Sequence, residues 1–282
     1  MDSMRLSDGN TIPLLGLGTW QMTGDACREA VATALKEGYR HIDTAEAYGN
    51  EADVGRGLKD AAIPREEIFL TSKLWIDNFS FEKALKACEA SLERLGTDYL
   101  DLYLIHWPDS SKELRPVLEA MKKLIDDGKI KSFGVSNFTA AHIEKAYSLS
   151  KSIGVHPVIN QVEFHPGLYQ KELQEYCKDK DIMLTAYSPL GRGRSIEYDI
   201  FQELAEKYNK TKSQIALRWA LDRDVVVIPK SSSKEHIQEN LEIFDFTLDD
   251  EDASAIDSLG DDQRILDPGF AEFDRKDVFE KD

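Results

Sequence analysis

Eight short apolar runs alternate with stretches of helical periodicity across 282 residues, and no Pro-, Gly- or Ser-rich linker interrupts them. Together these features predict an α/β protein, a (β/α)8 TIM barrel forming a single domain over residues 1–282. The runs are 14–20, 39–45, 67–73, 99–106, 130–137, 157–164, 182–189 and 225–232, with starts 25 to 43 residues apart. That step accommodates one strand, one helix and two connections. The competing doubly wound sheet expects a G-x-G-x-x-G turn after its first strand. Here Gly16-Leu17-Gly18-Thr19-Trp20-Gln21 lacks the third glycine.

In chain order, Leu6 to Ile12 reads as two extended pieces around an Asp8-Gly9 turn, an N-terminal β-hairpin placed to plug the barrel floor. Within the repeats, Ala84, Leu85, Cys88, Ser91, Leu92 and Leu95 share one face of a helix over 81–95. The same periodicity covers 114–125, 140–149 and 213–221, the last holding Trp219 as a core residue. Asp249-Asp250-Glu251-Asp252 fits the first turn of a helix running to Leu259, where carboxylates meet the positive end of the dipole. A C-terminal tail segment, 261–282, follows. Its Leu266, Pro268, Phe270 and Phe273 suit packing over the barrel mouth, and the residues beyond Asp274 suit a solvated end.

The 52 acids against 35 bases give a net charge of −17, with 31% charged and 41% hydrophobic residues. A charge of that sign repels phosphate backbones and anionic lipid, so neither a nucleic-acid nor a membrane partner is expected. The excess is uneven: residues 245–282 hold 14 acids and 4 bases. Cys27, Cys88 and Cys177 lie far apart and form no disulfide framework, which fits a reducing compartment. The first residues lack the basic and apolar regions of a signal peptide, so a cytoplasmic location is expected. Composition assigns no oligomeric state.

In a barrel of this class the chemistry projects from the C-terminal ends of the strands. Those ends are polar here: Thr19-Trp20, Asp43-Thr44, Ser72-Lys73, His106-Trp107, Ser136-Asn137, Gln161, Tyr187-Ser188 and Lys230-Ser231. Asp43 and Lys73 directly follow apolar strand bodies. A buried charge needs a partner, and each is the nearest candidate for the other. Two chemistries suit such a pair. Lys73 as the Schiff-base nucleophile of an aldolase needs a neutral amine, which Asp43 opposes. A cationic Lys73 that lowers the pKa of the Tyr48 phenol makes that tyrosine a general acid, with His106 orienting a carbonyl oxygen. The spacing favours the second. The six histidines His41, His106, His142, His156, His165 and His236 show no ligand spacing, so no metal is expected.

Several segments in order carry a specific resemblance: Gly18-Thr19-Trp20, His41 to Glu51, Thr71 to Trp75, Leu100 to Pro108, Gly134 to Phe138, Asn160-Gln161, Ala186 to Gly191, and Ile228 to Ser231 with Glu239-Asn240. From about Leu6 to Leu259 the chain resembles an aldo-keto reductase. The resemblance implies carbonyl reduction by a nicotinamide cofactor, with a catalytic tetrad of Asp43, Tyr48, Lys73 and His106. It implies that Ser136, Asn137 and Gln161 hold the carboxamide and that Tyr187 stacks on the ring. Thr19 and Asp43 border the same site. Leu190 and Gly191 would pass under the pyrophosphate, Lys230, Ser231, Ser232 and His236 would meet the 2′-phosphate, and Glu239 with Asn240 the adenine.

The implied cofactor is NADP(H), with NAD(H) as a second. By the same resemblance, His236 stands where the best-known family members carry an arginine, replacing a permanently charged fork by a group whose reference pKa is near ~6.5. The expectation is a reduced margin of NADPH over NADH, shrinking as pH rises. Trp20, Trp75 and Trp107 at strand ends describe an aromatic slot for a small-molecule aldehyde or ketone. The short loops 108–115 and 191–198 imply an open mouth, as in microbial members reducing methylglyoxal, diketogluconate or simple aromatic aldehydes, and the tail is expected to screen which carbonyls enter. A different class of reading is a non-catalytic family barrel kept as a binding or regulatory subunit.

Overall fold

The computed structural model describes residues 2–259 and 264–274. Strands β1 (Ser3–Arg5) and β2 (Thr11–Pro13) form the N-terminal hairpin, with Met4 opposite Ile12. The main sheet runs β3 (Leu17–Gly18), β4 (His41–Asp43), β5 (Phe69–Leu74), β6 (Leu100–Ile105), β7 (Ile130–Ser136), β8 (Ile159–Glu163), β9 (Met183–Tyr187) and β10 (Val226–Val227). Spatial order equals chain order, and every pair is parallel. Parallel bridges Leu15–Val227 and Gly18–Lys230 join the first strand to the last, so the eight strands curl into the predicted barrel. Gly18 makes that seam possible: a Cβ there would lie 2.7 Å from the Ile228 carbonyl oxygen.

Helices α1 (Gly24–Glu37), α2 (Glu51–Ala61), α3 (Phe81–Leu95), α4 (Arg115–Asp126), α5 (Ala140–Ile153) and α6 (Lys171–Lys178) connect successive strands. After β9 come α7 (Asp199–Tyr208) and α8 (Lys212–Leu221), then α9 (Lys234–Leu241) and α10 (Asp250–Asp257). The periodicity over 81–95 coincides with α3, whose Ala84, Cys88, Ser91, Leu92 and Leu95 are buried. Its exit is a left-handed glycine, Gly96 at φ 68°, a conformation without steric cost only for glycine. Trp219 is fully buried in α8, stacked on Phe164 at 5.2 Å, with its indole N–H donated to Asp257. Asp249 occupies the N-cap position of α10 and Asp250, Glu251 and Asp252 its first turn, as the dipole favours. Among the described residues no helix is long and apolar enough to cross a membrane.

Alternation along the strands explains what each layer of the barrel contains. On β5, Phe69 faces the inner floor, Leu70 and Leu74 face the helices, and Thr71 and Lys73 continue the inner row upward. On β6, Leu102 and Leu104 are inside and Tyr103 and Ile105 outside. Leu6 and Ile12 of the hairpin join Phe69, Leu102, Leu104, Val158, Ile159 and Val226 in one apolar cluster that closes the floor. Full burial of a side chain such as Ile12 stabilises by about 1.5–3 kcal/mol. Asn10 adds a polar bolt, its amide donating to Ser132 Oγ at 3.0 Å.

Candidate active site

The inner rows that are apolar at the floor end in polar groups at the mouth. Asp43 and Lys73 are fully buried and paired at 2.5 Å. The Lys73 ammonium donates to Asp43 Oδ1, to the Thr44 carbonyl at 2.9 Å and to the Tyr48 oxygen at 3.3 Å, which occupies all three of its hydrogens. Because Tyr48 accepts from Lys73, its own hydrogen is left for another acceptor. Asp43 Oδ2 accepts from the Gln161 amide at 2.6 Å, and Thr19 Oγ1 donates to the Asp43 carbonyl at 3.0 Å. Tyr48 reaches this cluster from a short 3-10 turn, Glu46–Tyr48, closed by left-handed Gly49. Glu46 fixes the neighbouring loop, since its carboxylate accepts from the Trp75 main-chain N–H and from the Asn78 amide.

Burial works against the Lys73 charge, yet the Asp43 carboxylate and Tyr48 outweigh it and hold the ammonium above the ordinary lysine value. The phenol differs from the sequence-based expectation. Burial pushes the Tyr48 hydroxyl above the usual tyrosine range, and the opposing pull of Lys73 does not overcome it. The group is therefore held protonated, which is the form a proton donor needs. Burial, then the Lys73 charge, drive His106 well below the usual histidine value, so its ring is neutral. His106 packs edge-on against Tyr48 at 5.6 Å and Trp75 at 5.2 Å, and its Nδ1 is buried without a hydrogen-bond partner among the described residues.

Across the mouth, neutral polar groups form one network. Ser136 Oγ donates to the Gln161 carbonyl at 2.7 Å, and the Asn137 amide donates to the His106 carbonyl at 3.0 Å and to Ser136 Oγ at 3.1 Å. The Tyr187 hydroxyl donates to Asn137 Oδ1 at 2.8 Å. Asn137 holds a left-handed backbone, φ 63°, strain that a residue at the turn out of β7 carries in order to aim its amide inward.

A cavity of about 280 Å³ opens above this cluster. Thr19, Trp20, Asp43, Tyr48, Trp75, His106, Trp107, Ser136, Asn137, Gln161, Tyr187 and Lys230 border it. Lys73 lies beneath. Leu190, Gly191, Ser231, Ser232, His236, Glu239 and Asn240 are not on its wall and lie from the turn after β9 to α9. Lys230, Ser232 and His236 are exposed, and Ser233 caps α9 by accepting the His236 main-chain N–H. Glu239 instead accepts from Thr211 Oγ1, and Asn240 is buried, so both contribute to packing of α8 on α9.

One residue on the cavity wall, Arg192, was not singled out from the sequence, whereas the tail residues were expected there. Arg192, after β9, stacks its guanidinium 4.7 Å from the Trp20 ring and has no ion pair among the described residues. Two arginines in Gly191-Arg-Gly-Arg194 of so acidic a chain were the available signal. The tail brings Leu266, Pro268 and Phe270 to the cavity. Phe270 sits edge-on to Trp75 at 5.8 Å and Trp107 at 5.3 Å, while Phe273 packs on Trp107 beneath Arg264. The tail thus roofs part of the mouth that loops 108–115 and 191–198 were expected to leave open. The tail is held at both ends. Ile265 and Leu266 donate main-chain N–H groups to Glu163, and Glu272 accepts from Ser110 and His142. Residues 275–282, expected to be solvated, lie outside the described residues.

Among the described residues no group of three or more His, Cys, Asp or Glu could hold a metal ion. The donor set does fit a nicotinamide dinucleotide. Neutral amide and hydroxyl groups surround the half-buried Tyr187 ring, and the exposed cation Lys230 leads to consecutive serines at a capped helix N-terminus.

The model of the aldo/keto reductase family matches residues 14–261. Glyoxal reductase of Bacillus subtilis (strain 168) is 47% identical over 265 residues, covering 94% of this chain and 95% of the relative. The 9,11-endoperoxide prostaglandin H2 reductase of Trypanosoma cruzi is 43% identical over 258 residues, 90% of each chain. An aldo-keto reductase from a Medee basin deep-sea metagenome library superposes with a TM-score of 0.91 at 43% identity, covering 94% of this chain and 97% of that one. The Bombyx mori aldo-keto reductase, solved in complex with NADP, gives 0.88 at 37% identity, covering 94% and 95%. On sequence and on structure alike, this chain belongs to the aldo/keto reductase family.

Proposed function

We propose that this chain reduces small aldehydes and dicarbonyls of the glyoxal type to alcohols with NADPH, using Tyr48 as the proton donor. The observation that carries the reading is the Asp43–Lys73–Tyr48 cluster, in which a buried ion pair leaves the tyrosine hydrogen free at the cavity floor. Reduced nicotinamide, when bound, supplies the hydride. Tyr48 donates its proton to the carbonyl oxygen, and Lys73 stabilises the negative charge that develops on the phenol oxygen. A neutral His106 orients the carbonyl oxygen. Asp43 holds Lys73 charged, which opposes imine formation and disfavours the aldolase reading.

Ser136, Asn137 and Gln161 would hold the carboxamide, and Tyr187 the ring face. Thr19 would border that ring through its contact with Asp43. The pyrophosphate would pass Leu190 and Gly191 with Arg192 near it, and Lys230, Ser231, Ser232 and His236 would meet the 2′-phosphate. Glu239 and Asn240 would border the adenine. Trp20, Trp75 and Trp107 would wall the substrate. The NADP complex of the Bombyx mori relative and the glyoxal reductase activity named for the Bacillus subtilis relative support cofactor and substrate class. The single-domain organisation and a cytoplasmic location belong to the same proposal.

The test is loss of reduced-nicotinamide absorbance with glyoxal, methylglyoxal and an aromatic aldehyde, each with NADPH and with NADH. Turnover with NADPH is expected, and His236→Arg should widen the preference for NADPH over NADH. No turnover on the whole panel would favour a non-catalytic binding subunit, whereas borohydride trapping of a substrate on Lys73 would restore the aldolase reading.

A further inference from the structure

Beyond Gln161 the inner row of β8 takes one more step, to Glu163. This side chain is fully buried, and its carboxylate carries three short contacts, with a fourth at the main-chain carbonyl. Its Oε1 accepts from the Ile265 main-chain N–H at 2.8 Å, and its Oε2 from that of Leu266 at 2.9 Å. His165 Nε2 lies 2.9 Å from Oε1, and the Gln170 amide donates to the Glu163 carbonyl at 2.6 Å. Burial alone would raise this carboxyl, but the hydrogen bonds from His165, Leu266 and Ile265 outweigh it and keep it ionised. An ionised acceptor fixes the ring orientation: Nε2 carries a hydrogen toward the carboxylate and Nδ1 is turned to the opposite side.

Nδ1 of His165 faces Ser195 Oγ at 2.7 Å. Ser195 belongs to the 3-10 turn Gly191–Ile196 that follows β9, and it lies against Gly191 so closely that a Cβ on that glycine would come within 2.0 Å of the hydroxyl. The order Ser–His–Glu has the polarity of a nucleophilic triad. Ser195, however, is buried against Gly191, with 3% of its surface exposed, so no carbonyl reaches its oxygen. The line of hydrogen bonds instead connects two pieces of the mouth. On one side are Ile265 and Leu266 at the start of the segment whose Leu266, Pro268 and Phe270 border the cavity. On the other is the turn that Gly191 opens.

We infer that Glu163, His165 and Ser195 form one positioning unit that couples docking of the tail over the substrate slot to occupation of the dinucleotide groove at Gly191. The inference rests on the cofactor reading above, and it adds a direction of communication that the site alone does not contain. A dinucleotide held at Gly191 and Arg192 restricts the turn, which fixes the Ser195 hydroxyl on His165. His165 in turn holds Glu163 in the one orientation that receives both tail amides. The converse follows by linkage, since a docked tail favours the ordered turn and tightens the cofactor by the same factor. Glu163, His165 and Ser195 touch neither substrate nor the reacting atoms, so they act only through the segments they hold.

The experiment follows hydrogen exchange at the Ile265 and Leu266 amides in the intact protein, with and without saturating NADPH, while tryptophan fluorescence reports binding. In wild type NADPH slows exchange at both amides by about 5-fold or more, the lower end of ordinary coupling. In Ser195→Ala that NADPH effect falls below about 2-fold, although the tail still docks, and the carbonyl KM measured at saturating NADPH rises more than kcat falls. A purely packing role predicts amides loosened equally with and without NADPH. Bound NADPH with unchanged amide exchange in wild type overturns the coupling and leaves the reductase reading standing. A full NADPH effect retained in Ser195→Ala also overturns it. Absence of NADPH binding in wild type overturns the cofactor reading itself, and the coupling with it.

Discussion

The floor and the mouth of this barrel are opposite ends of the same strands, and they are built on opposite physical principles. At the floor, Leu6, Ile12, Phe69, Leu102, Leu104, Ile159 and Val226 pack side chain on side chain with the hairpin as a plug. At the mouth the same rows end in a buried ion pair, a neutral imidazole with a nitrogen unpartnered among the described residues, and an amide on strained backbone. Dispersion and water exclusion tolerate volume-conserving change, whereas the mouth works only if each donor meets its acceptor. Stability is concentrated where no chemistry happens, so the chemical end can carry strain and unpaired groups.

The sharpest way to test this division is Tyr48→Phe. It is expected to lower kcat/KM by about 10²–10⁴-fold while leaving the thermal midpoint nearly unchanged, because the lost hydroxyl makes one 3.3 Å contact. A collapse of the midpoint in parallel with activity would break the contrast. Ile12→Ala is the reciprocal test. Denaturant unfolding should show a loss of about 2–5 kcal/mol, with kcat/KM per folded molecule within about 2-fold of wild type. Phe270→Ala, at the tail's edge-on contact with Trp75 and Trp107, should change the ratio of kcat/KM between aromatic and aliphatic aldehydes by a few-fold and leave the fold intact. An unchanged ratio would separate the tail from substrate choice.

A pH titration compares the two ends directly. Burial lowers His41, on the inner row below Asp43, from 6.5 to about 4, and burial with the Lys73 charge holds His106 at the mouth well below the usual histidine value. Both rings are neutral in the fold, and the unfolded chain binds their protons first. The stability these two rings contribute is therefore complete above about pH 6.5 and is lost as pH drops from 6.5 toward 4. Denaturant midpoints measured across that interval should decline. A flat curve would mean that the rings carry charge in the native protein.

Much of the site was legible because it lies on strands. Asp43, Lys73, His106, Ser136, Gln161 and Tyr187 lie at or near the ends of apolar runs, and period-2 alternation puts them in the row that points inward. The strand β4 pairs with β5 in a register that sets Asp43 opposite Thr71, which brings Lys73 one inward step above it. The sign of the Tyr48 shift was not legible, since it depends on how burial and the Lys73 charge compare at one oxygen. Arg192 was missed because a loop residue has no periodicity to betray its direction.

The sequence by itself therefore determined the eight-fold repeat, the inward-facing polar strand ends and the family, because these follow from local alternation and from side-chain identity. Tertiary structure alone decided how the tail meets the barrel. Glu163 receives Ile265 and Leu266 through main-chain N–H groups, and every non-proline residue offers the same donor. Such a contact across about a hundred residues leaves no mark in the sequence, and only folding brings donor and acceptor together.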